Sequence, residues 1–181
     1  MNKERLIKNI VDQMKEAQIK LGYVRETVRL YYTLPSLNGI LGTEAADQQE
    51  MTGLLEESRV PLEEKLGYPK FGIHKGRIEI SIPPEGAEYV YREVKASPFL
   101  ADMIHLFQNH HCCSMEEIRN VFETYSRDYV CEKMPEGMDF DYVLYFLDEL
   151  IDPYYYCVKA EMGHTIYHRF TKEDYQMLLN S

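Results

Sequence analysis

The sequence repeats part of its own pattern 88 residues downstream. The corresponding positions are Ile78, Ile80, Ile82 and Glu85 in the first half and Ile166, His168, Phe170 and Glu173 in the second. In each half a helical stretch comes first, then a glycine-containing β-ribbon, then the start of a helix. This pattern predicts two copies of one unit with the order helix, helix, helix, ribbon, which is the order of a winged helix.

The first half, residues 1–96, is predicted to form a winged-helix-like unit followed by a linker helix. Apolar spacing predicts a helix over residues 3–21, and the β-branched and aromatic residues at 27–32 predict a short strand. Further helices are predicted over 35–41, 44–57 and 62–66. The ribbon consists of strands 71–74 and 77–82 around a Lys75-Gly76 turn, and the linker helix covers 85–95.

The second half, residues 97–181, is predicted to form the acidic winged-helix-like copy. Helices begin at Pro98 and Met115, the latter after a Ser114–Glu117 capping box, and residues 126–137 form an irregular link. Asp139–Leu150 is the predicted third helix because its apolar residues recur at helical spacing. Strands 154–159 and 165–170 and a helix over 172–180 complete the unit. The predicted fold class is therefore a mainly helical α+β protein with two tandem units, and the alternative is one domain whose two hairpins share a sheet.

Composition and charge indicate a folded, soluble chain. Hydrophobic residues make up 45% of the sequence and charged residues 28%, which is ordinary for a globular protein. No apolar run approaches the ~18 residues that a membrane span requires, and the first residues predict a helix and not a signal peptide. The four cysteines are expected to be reduced thiols in the cytoplasm.

The acidic residues are concentrated in the second half. Residues 1–96 carry 14 Lys and Arg against 15 Asp and Glu, a net charge of −1, whereas residues 97–181 carry 6 against 15, a net charge of −9. The acidic half is expected to repel nucleic acid and anionic membrane.

Catalytic and metal-binding motifs are weak in this sequence. The contiguous run His110-His111-Cys112-Cys113 has the residue types of a metal site, but neighbouring side chains diverge, so a loop is the preferred interpretation. Nucleotide-binding glycine motifs and a nucleophile elbow are absent from the sequence. We therefore expect no enzyme activity, no cofactor and no metal.

DNA binding is the commonest use of a winged helix, and the charges oppose it. The two predicted reading helices, 44–57 and Asp139–Leu150, contain nine carboxylates and no Lys or Arg. Phosphate contacts depend on such cations. Only Lys70, Lys75 and Arg77 near the first ribbon remain as candidate nucleic-acid residues, so nucleic acid is an unfavoured partner.

Tyrosine is strongly over-represented, with 15 residues and no tryptophan. In a strand, Tyr154 and Tyr156 must face one side and Tyr155 the other. Because tyrosine is favoured both in interfaces and in sheet packing, these three residues are candidate interaction residues with core packing as the open alternative.

The opening segment, ERLIKNIVDQMKEAQIKLGYVRETVRLYYTLPSLNGILG, resembles an uncharacterised bacterial family of the domain-of-unknown-function kind found among gut Firmicutes. That resemblance implies a bacterial protein and assigns no residue a role. At the level of fold alone, two acidic winged helices are similar to the kite-type accessory subunits of chromosome-organising complexes, which act through protein contacts.

The function expected from the sequence is that of a non-enzymatic adaptor for protein–protein interaction or regulation, with an unidentified protein partner and with a homodimer left open. The main alternative is a winged-helix transcription regulator that binds DNA through the first half and its ribbon. The third is a small metal-dependent enzyme.

Overall fold

The computed structural model describes residues 1–110 and 112–180 and shows an α+β protein with two antiparallel sheets. The chain divides into two compact units, Met1–Ala96 and Ser97–Ser181. One sheet lies in each unit, and each unit has its own hydrophobic core.

The first unit contains a three-stranded sheet of order β1-β3-β2 with helices against one face. Its elements are α1 (Lys3–Leu21), β1 (Val28–Tyr32), α2 (Leu34–Leu41), α3 (Gln48–Glu57), α4 (Arg59–Leu66), β2 (Lys70–His74), β3 (Arg77–Ile82) and α5 (Pro84–Glu93). Every element predicted for residues 1–96 is confirmed, with ends shifted by a few residues.

The central strand β3 determines which way this sheet faces. Ile78, Ile80 and Ile82 are fully buried, so the residues between them must point to the opposite face. The hairpin to β2 turns through Lys75 and Gly76, both with positive φ, which is the backbone of a tight type I′ turn.

The second unit contains a four-stranded meander of order β4-β5-β6-β7 that is covered on both faces. Its elements are α6 (Pro98–Asn109), α7 (Met115–Tyr125), β4 (Tyr129–Lys133), β5 (Tyr142–Phe146), β6 (Tyr155–Glu161), β7 (His164–Phe170) and α8 (Lys172–Leu179). The helices α6 and α7 cover one face, and α8 packs against the other. The predicted Ser114–Glu117 capping box is confirmed.

The prediction of a helix over Asp139–Leu150 is wrong, because Tyr142–Phe146 forms the strand β5. A strand that is buried on both faces is a continuous apolar run, and such a run also satisfies helical spacing. Val143 packs toward α8 while Leu144 packs toward α6 and α7, which a helix would not allow at adjacent positions. The predicted irregular link also contains a strand, β4.

The prediction that both halves are copies of one helix, helix, helix, ribbon unit is therefore wrong as well. The second unit has two helices before four strands, and not three helices before a ribbon. The repeated residues also differ in burial: Ile78 is fully buried, whereas its counterpart Ile166 is 43% exposed. The similarity in sequence reflects two hairpins that each end at a helix start, and not two copies of one fold.

A buried polar cluster connects β6 to the loop that precedes it. Asp152 is only 5% exposed, and its Oδ1 accepts a hydrogen bond from the Tyr154 amide (3.0 Å) while its Oδ2 accepts one from the Tyr156 hydroxyl (3.1 Å). The guanidinium of Arg169 lies over the Tyr154 ring, 4.3 Å from its centroid. Because buried polar groups are costly when they lose a partner, this cluster should contribute to the stability of the second unit.

We expect Asp152→Ala to lower the free energy of unfolding by about 1–3 kcal/mol, because it removes a buried acceptor from two donors. Urea denaturation followed by circular dichroism measures this change. Asp139→Ala is the matched control, since Asp139 is exposed. A loss for Asp152→Ala no greater than that of the control would contradict this role for the cluster.

Alkaline pH should destabilise the second unit through two adjacent residues of β6. Burial raises the pKa of Cys157 to about 12 and raises the pKa of Tyr156 well above its ordinary value. The folded pKa values exceed the unfolded ones, so the stabilisation is complete below the unfolded values and is lost as pH rises through the folded ones. The temperature at the midpoint of thermal unfolding should therefore decrease as the pH is raised from 9.0, the ordinary pKa of a thiol, to about 12.

The same titration on Cys157→Ala should show a shallower fall in the unfolding temperature, because the contribution of the Cys157 thiol is removed. Cys112→Ala is the control, since Cys112 is an exposed cysteine. A midpoint that stays constant through this range would show that neither group is protected from ionisation by the fold.

Candidate interaction surfaces

The three tyrosines predicted as an interaction surface belong mainly to the core. Tyr154 and Tyr156 are 5% and 0% exposed and pack on the side of α6 and α7. Tyr155 faces the other side, as predicted, and stacks between Tyr145 and Tyr175 at centroid distances of 4.2 and 4.7 Å. The alternation is confirmed, whereas the expected exposed face is wrong because helices cover both sides of this sheet.

The predicted cluster of histidines and cysteines does not converge in the described residues. His111 lies outside them. His110 is exposed with Nδ1 3.6 Å from a Glu117 carboxylate oxygen, and the exposed Cys112 contacts the Gly163 carbonyl. Cys113 is buried, which raises its thiol pKa. Within residues 1–110 and 112–180, no three His, Cys, Asp or Glu side chains are arranged to hold a metal.

A groove of about 340 Å³ lies between α6 and α7 in the second unit. Leu106 and Val121 are its apolar residues, and the remaining lining residues have polar side chains: Asp102, His105, Asn109, His110, Asn120 and Thr124. Asp102 accepts a hydrogen bond of 2.5 Å from the hydroxyl of Tyr125, whose pKa burial and this carboxylate raise to about 12. The groove is open to the surface, and sequence periodicity gives no sign of it.

The sheet of the first unit has a second face that its own helices do not cover. We call it the outer sheet face and define it by the following residues: Arg29, Tyr31, Lys70, Gly72, His74, Arg77, Glu79 and Ser81. The strand register places them in three rows, because directly paired residues share a face. The rows are Arg29–Ser81–Lys70, Tyr31–Glu79–Gly72 and Arg77–His74.

Glu79 in the middle row is held by its neighbours on the outer sheet face. Its Oε1 accepts a hydrogen bond from the Ser81 hydroxyl at 2.7 Å and lies 3.6 Å from Nε of Arg29. Its side chain is only 21% exposed, compared with 60% for Arg29. The one carboxylate of this face is thus already occupied by a cation and a hydroxyl of the same face.

The other cations on and beside the outer sheet face differ from Arg29, which lies next to the Glu79 carboxylate. Among the described residues, Lys70, Lys75 and Arg77 form no ion pair with a carboxylate. Lys70 and Arg77 lie on the outer sheet face, and Lys75 lies in the adjoining turn. These three residues, predicted from the sequence as nucleic-acid candidates, are therefore not one cluster: Lys70 lies one row from Gly72 on one side, and Arg77 lies one row from it on the other, next to the turn that contains Lys75.

Gly72 leaves a depression in the outer sheet face. A Cβ placed on this glycine would meet no atom within 4 Å, and its backbone is ordinary β2 strand without a bulge. The rings of Tyr31 and His74 approach each other at a centroid distance of 5.7 Å, and Tyr31 is 43% exposed. The outer sheet face thus combines two neighbouring aromatic rings, an unfilled position at Gly72 and the cations Lys70 and Arg77. Glycine in β2 was visible in the sequence, but its neighbours required the register.

The helix α3 adds negative charge beside the hairpin. The side-chain amide of Gln48 donates a hydrogen bond of 3.3 Å from Nε2 to the Gly76 carbonyl, and this contact holds the start of α3 beside the turn. Asp47 caps this helix, and Glu50 lies in its first turn. A ligand that extends beyond the outer sheet face toward α3 meets carboxylates.

No helix within the described residues is long and apolar enough to cross a membrane.

Comparison with known proteins places the chain in one family. Residues 3–179 match the family DUF3877, described as a domain of unknown function from an E. rectale gene. No curated protein and no solved structure matches the chain. The resemblance to an uncharacterised family of a gut Firmicute is confirmed over nearly the whole sequence, and the chain belongs to the DUF3877 family.

Proposed function

We propose that the chain is a non-enzymatic adaptor that binds an acidic, partly apolar segment of a protein on the outer sheet face of its first unit. The depression at Gly72, between aromatic rings and cations without carboxylate partners, carries this proposal. The surface thus differs from the one expected from the sequence, which consisted of Tyr154, Tyr155 and Tyr156.

The first unit is winged-helix-like in this proposal. Its helices α1, α2 and α3 precede the β2–β3 hairpin, which corresponds to the wing, and β1 adds the third strand. The sheet order β1-β3-β2 supports this interpretation, and α4 is an addition between the last helix and the wing. The second unit does not follow this order.

A glycine in the middle of a regular strand requires a reason. Glycine weakens a strand, because it loses more conformational freedom on folding than other residues and offers no side chain for packing. Gly72 has neither a positive φ nor a close neighbour that would exclude a side chain. The remaining reason is close approach by a ligand, which is a recognised use of glycine in strands.

The charges favour an acidic protein segment over a long polyanion. Lys70 and Arg77 can attract carboxylates at the edge of the depression, and Tyr31 offers apolar and aromatic contact. A short segment can remain on the outer sheet face. A nucleic acid extends further and would meet Asp47 and Glu50 near the hairpin turn.

The alternative function, duplex-DNA binding, rests on the position of Lys70, Lys75 and Arg77 at the wing. The helix α3 would be the reading helix, and Gln48–Glu57 contains no Lys or Arg. Asp139–Leu150 is not a helix, so the carboxylates of this segment do not lie on a reading helix. The α3 carboxylates still oppose phosphate.

We expect Gly72→Val to weaken binding while the fold is retained or made more stable. A Cβ at this position meets no atom within 4 Å, and valine raises strand propensity by an amount on the order of 0.5–1 kcal/mol. The measurement is fluorescence anisotropy with a labelled peptide of alternating leucine and glutamate. The dissociation constant should rise about tenfold or more, which is about 1.4 kcal/mol of binding free energy.

Variants that remove single positive charges test whether the peptide binds at this face or responds only to the overall charge of the chain. Lys70→Gln and Arg77→Gln should weaken peptide binding. Lys8→Gln and Lys95→Gln remove exposed cations outside the face and should leave peptide binding unchanged. Absence of binding by the unmodified chain, or equal binding by Gly72→Val, would refute the proposed surface.

For DNA we expect no affinity beyond the generic non-specific range, on the order of 10⁻⁴–10⁻⁶ M at physiological salt. The α3 carboxylates repel phosphate, and only three cations lie at the wing. An anisotropy titration of labelled duplex at ~0.15 M salt tests this. Sub-micromolar binding that is lost in Lys70→Ala, Lys75→Ala and Arg77→Ala would favour the DNA-binding alternative instead.

A further inference from the structure

We propose that the segment bound by the outer sheet face is the β5–β6 turn, residues 147–150, of a second copy of this chain. This inference rests on the proposed function and identifies the partner of that surface. The turn has the sequence Leu-Asp-Glu-Leu and belongs to the second unit.

The turn exposes two leucines beside two carboxylates. Leu147 is 65% exposed and Leu150 is 90% exposed, which are high values for leucine in a folded unit, and Asp148 and Glu149 are exposed as well. Single exposed apolar residues are normal on proteins, whereas two leucines within one turn form a small apolar patch. The patch has the mixed apolar and acidic chemistry that the outer sheet face would bind.

The backbone holds this turn in one conformation. Asp148 Oδ1 accepts a hydrogen bond from the Leu150 amide at 2.9 Å, and the Asp148 carbonyl accepts one from the Ile151 amide at 3.1 Å. On one side the Leu147 amide donates to the Asp128 carbonyl, and on the other the buried Asp152 anchors the chain. A segment that is already ordered loses less conformational entropy when it binds.

The chemistry of the two surfaces is complementary. Gly72 leaves room for a leucine side chain beside Tyr31, and Lys70 and Arg77, in the rows on either side of Gly72, are the cations available to Glu149. The net charges of the parts agree with this, since the second half carries −9 and the outer sheet face is positive.

The predicted contact joins two different surfaces, the turn of one copy and the sheet face of the other. Two copies related by a two-fold axis would make this contact twice in an isologous dimer, whereas other rotations would make it heterologous and give a larger ring or a chain. The contact is small, so the association should be weak, reversible and sensitive to salt.

Sedimentation velocity of the full chain over a hundredfold range of concentration tests the inference. We expect concentration-dependent association at ~0.15 M salt that is lost at ~1 M salt. The variant Leu147→Ser/Leu150→Ser should raise the dissociation constant at least tenfold, and so should Lys70→Glu/Arg77→Glu. Leu21→Ser/Val24→Ser is the matched control, because these residues are 85% and 62% exposed and lie outside both surfaces.

Charge exchange makes the test specific. Glu149→Lys alone should weaken association, and its combination with Lys70→Glu/Arg77→Glu should restore it to within a few-fold of the unmodified chain. Circular dichroism of each variant shows whether its fold is retained, and Glu149 is chosen because Asp148 stabilises the turn.

A chain that stays monomeric at all concentrations, an association that both surface variants leave unchanged, or a failed restoration would overturn this inference. The leucine–glutamate peptide separates the two proposals. If the chain is monomeric, and the peptide still binds the unmodified chain but binds Gly72→Val more weakly, the proposed function stands and only the identity of the partner is wrong. If the peptide also fails to bind, both proposals fall.

Discussion

The coverage of the two sheets is the constraint on which the rest of this structure depends. In the first unit, helices pack against one face only, so the fully buried Ile78, Ile80 and Ile82 force the alternate residues of β3 outward. In the second unit, α6 and α7 cover one face and α8 the other, so adjacent residues Tyr156 and Cys157 are both fully buried. A sheet with one covered face leaves a surface for binding, and a sheet with two covered faces does not.

That difference explains which residue types lie on each sheet. The free face of the first sheet carries Arg29, Lys70, Arg77 and His74, which remain hydrated there, with Tyr31 and Gly72 between them. The second sheet has aromatic rings on both sides: Phe99, Phe122 and Tyr156 contact one another on one side, and Tyr145, Tyr155 and Tyr175 stack on the other. The abundance of tyrosine therefore serves packing in the second unit.

The sequence predicts the first unit well and the second unit only in part. Alternation in β3, the Lys75-Gly76 turn and the prolines and glycines at helix ends are local signals, and the structure confirms them. The error at Asp139–Leu150 arises because burial on both faces removes alternation, which is the signal that separates a strand from a helix. The outer sheet face could not be predicted as a site, because Tyr31, Gly72 and His74 are distant in sequence and meet only through the register of β1, β2 and β3.

The exposed turn at residues 147–150 is followed closely by the buried side chain of Asp152, which fixes the position of the chain at this point. Asp152 accepts hydrogen bonds from Tyr154 and Tyr156, and thereby holds the start of β6 to the core immediately after the turn. Asp148 then orders the turn itself through the Leu150 amide. Each leucine is exposed because the chain is held at both ends and cannot collapse onto the unit. Two leucines exposed in one turn gain no packing within their own unit, and this exposure is the observation on which the proposed contact with a second copy rests. In that proposal, the turn that Asp148 and Asp152 hold in place would be bound by the outer sheet face of another copy.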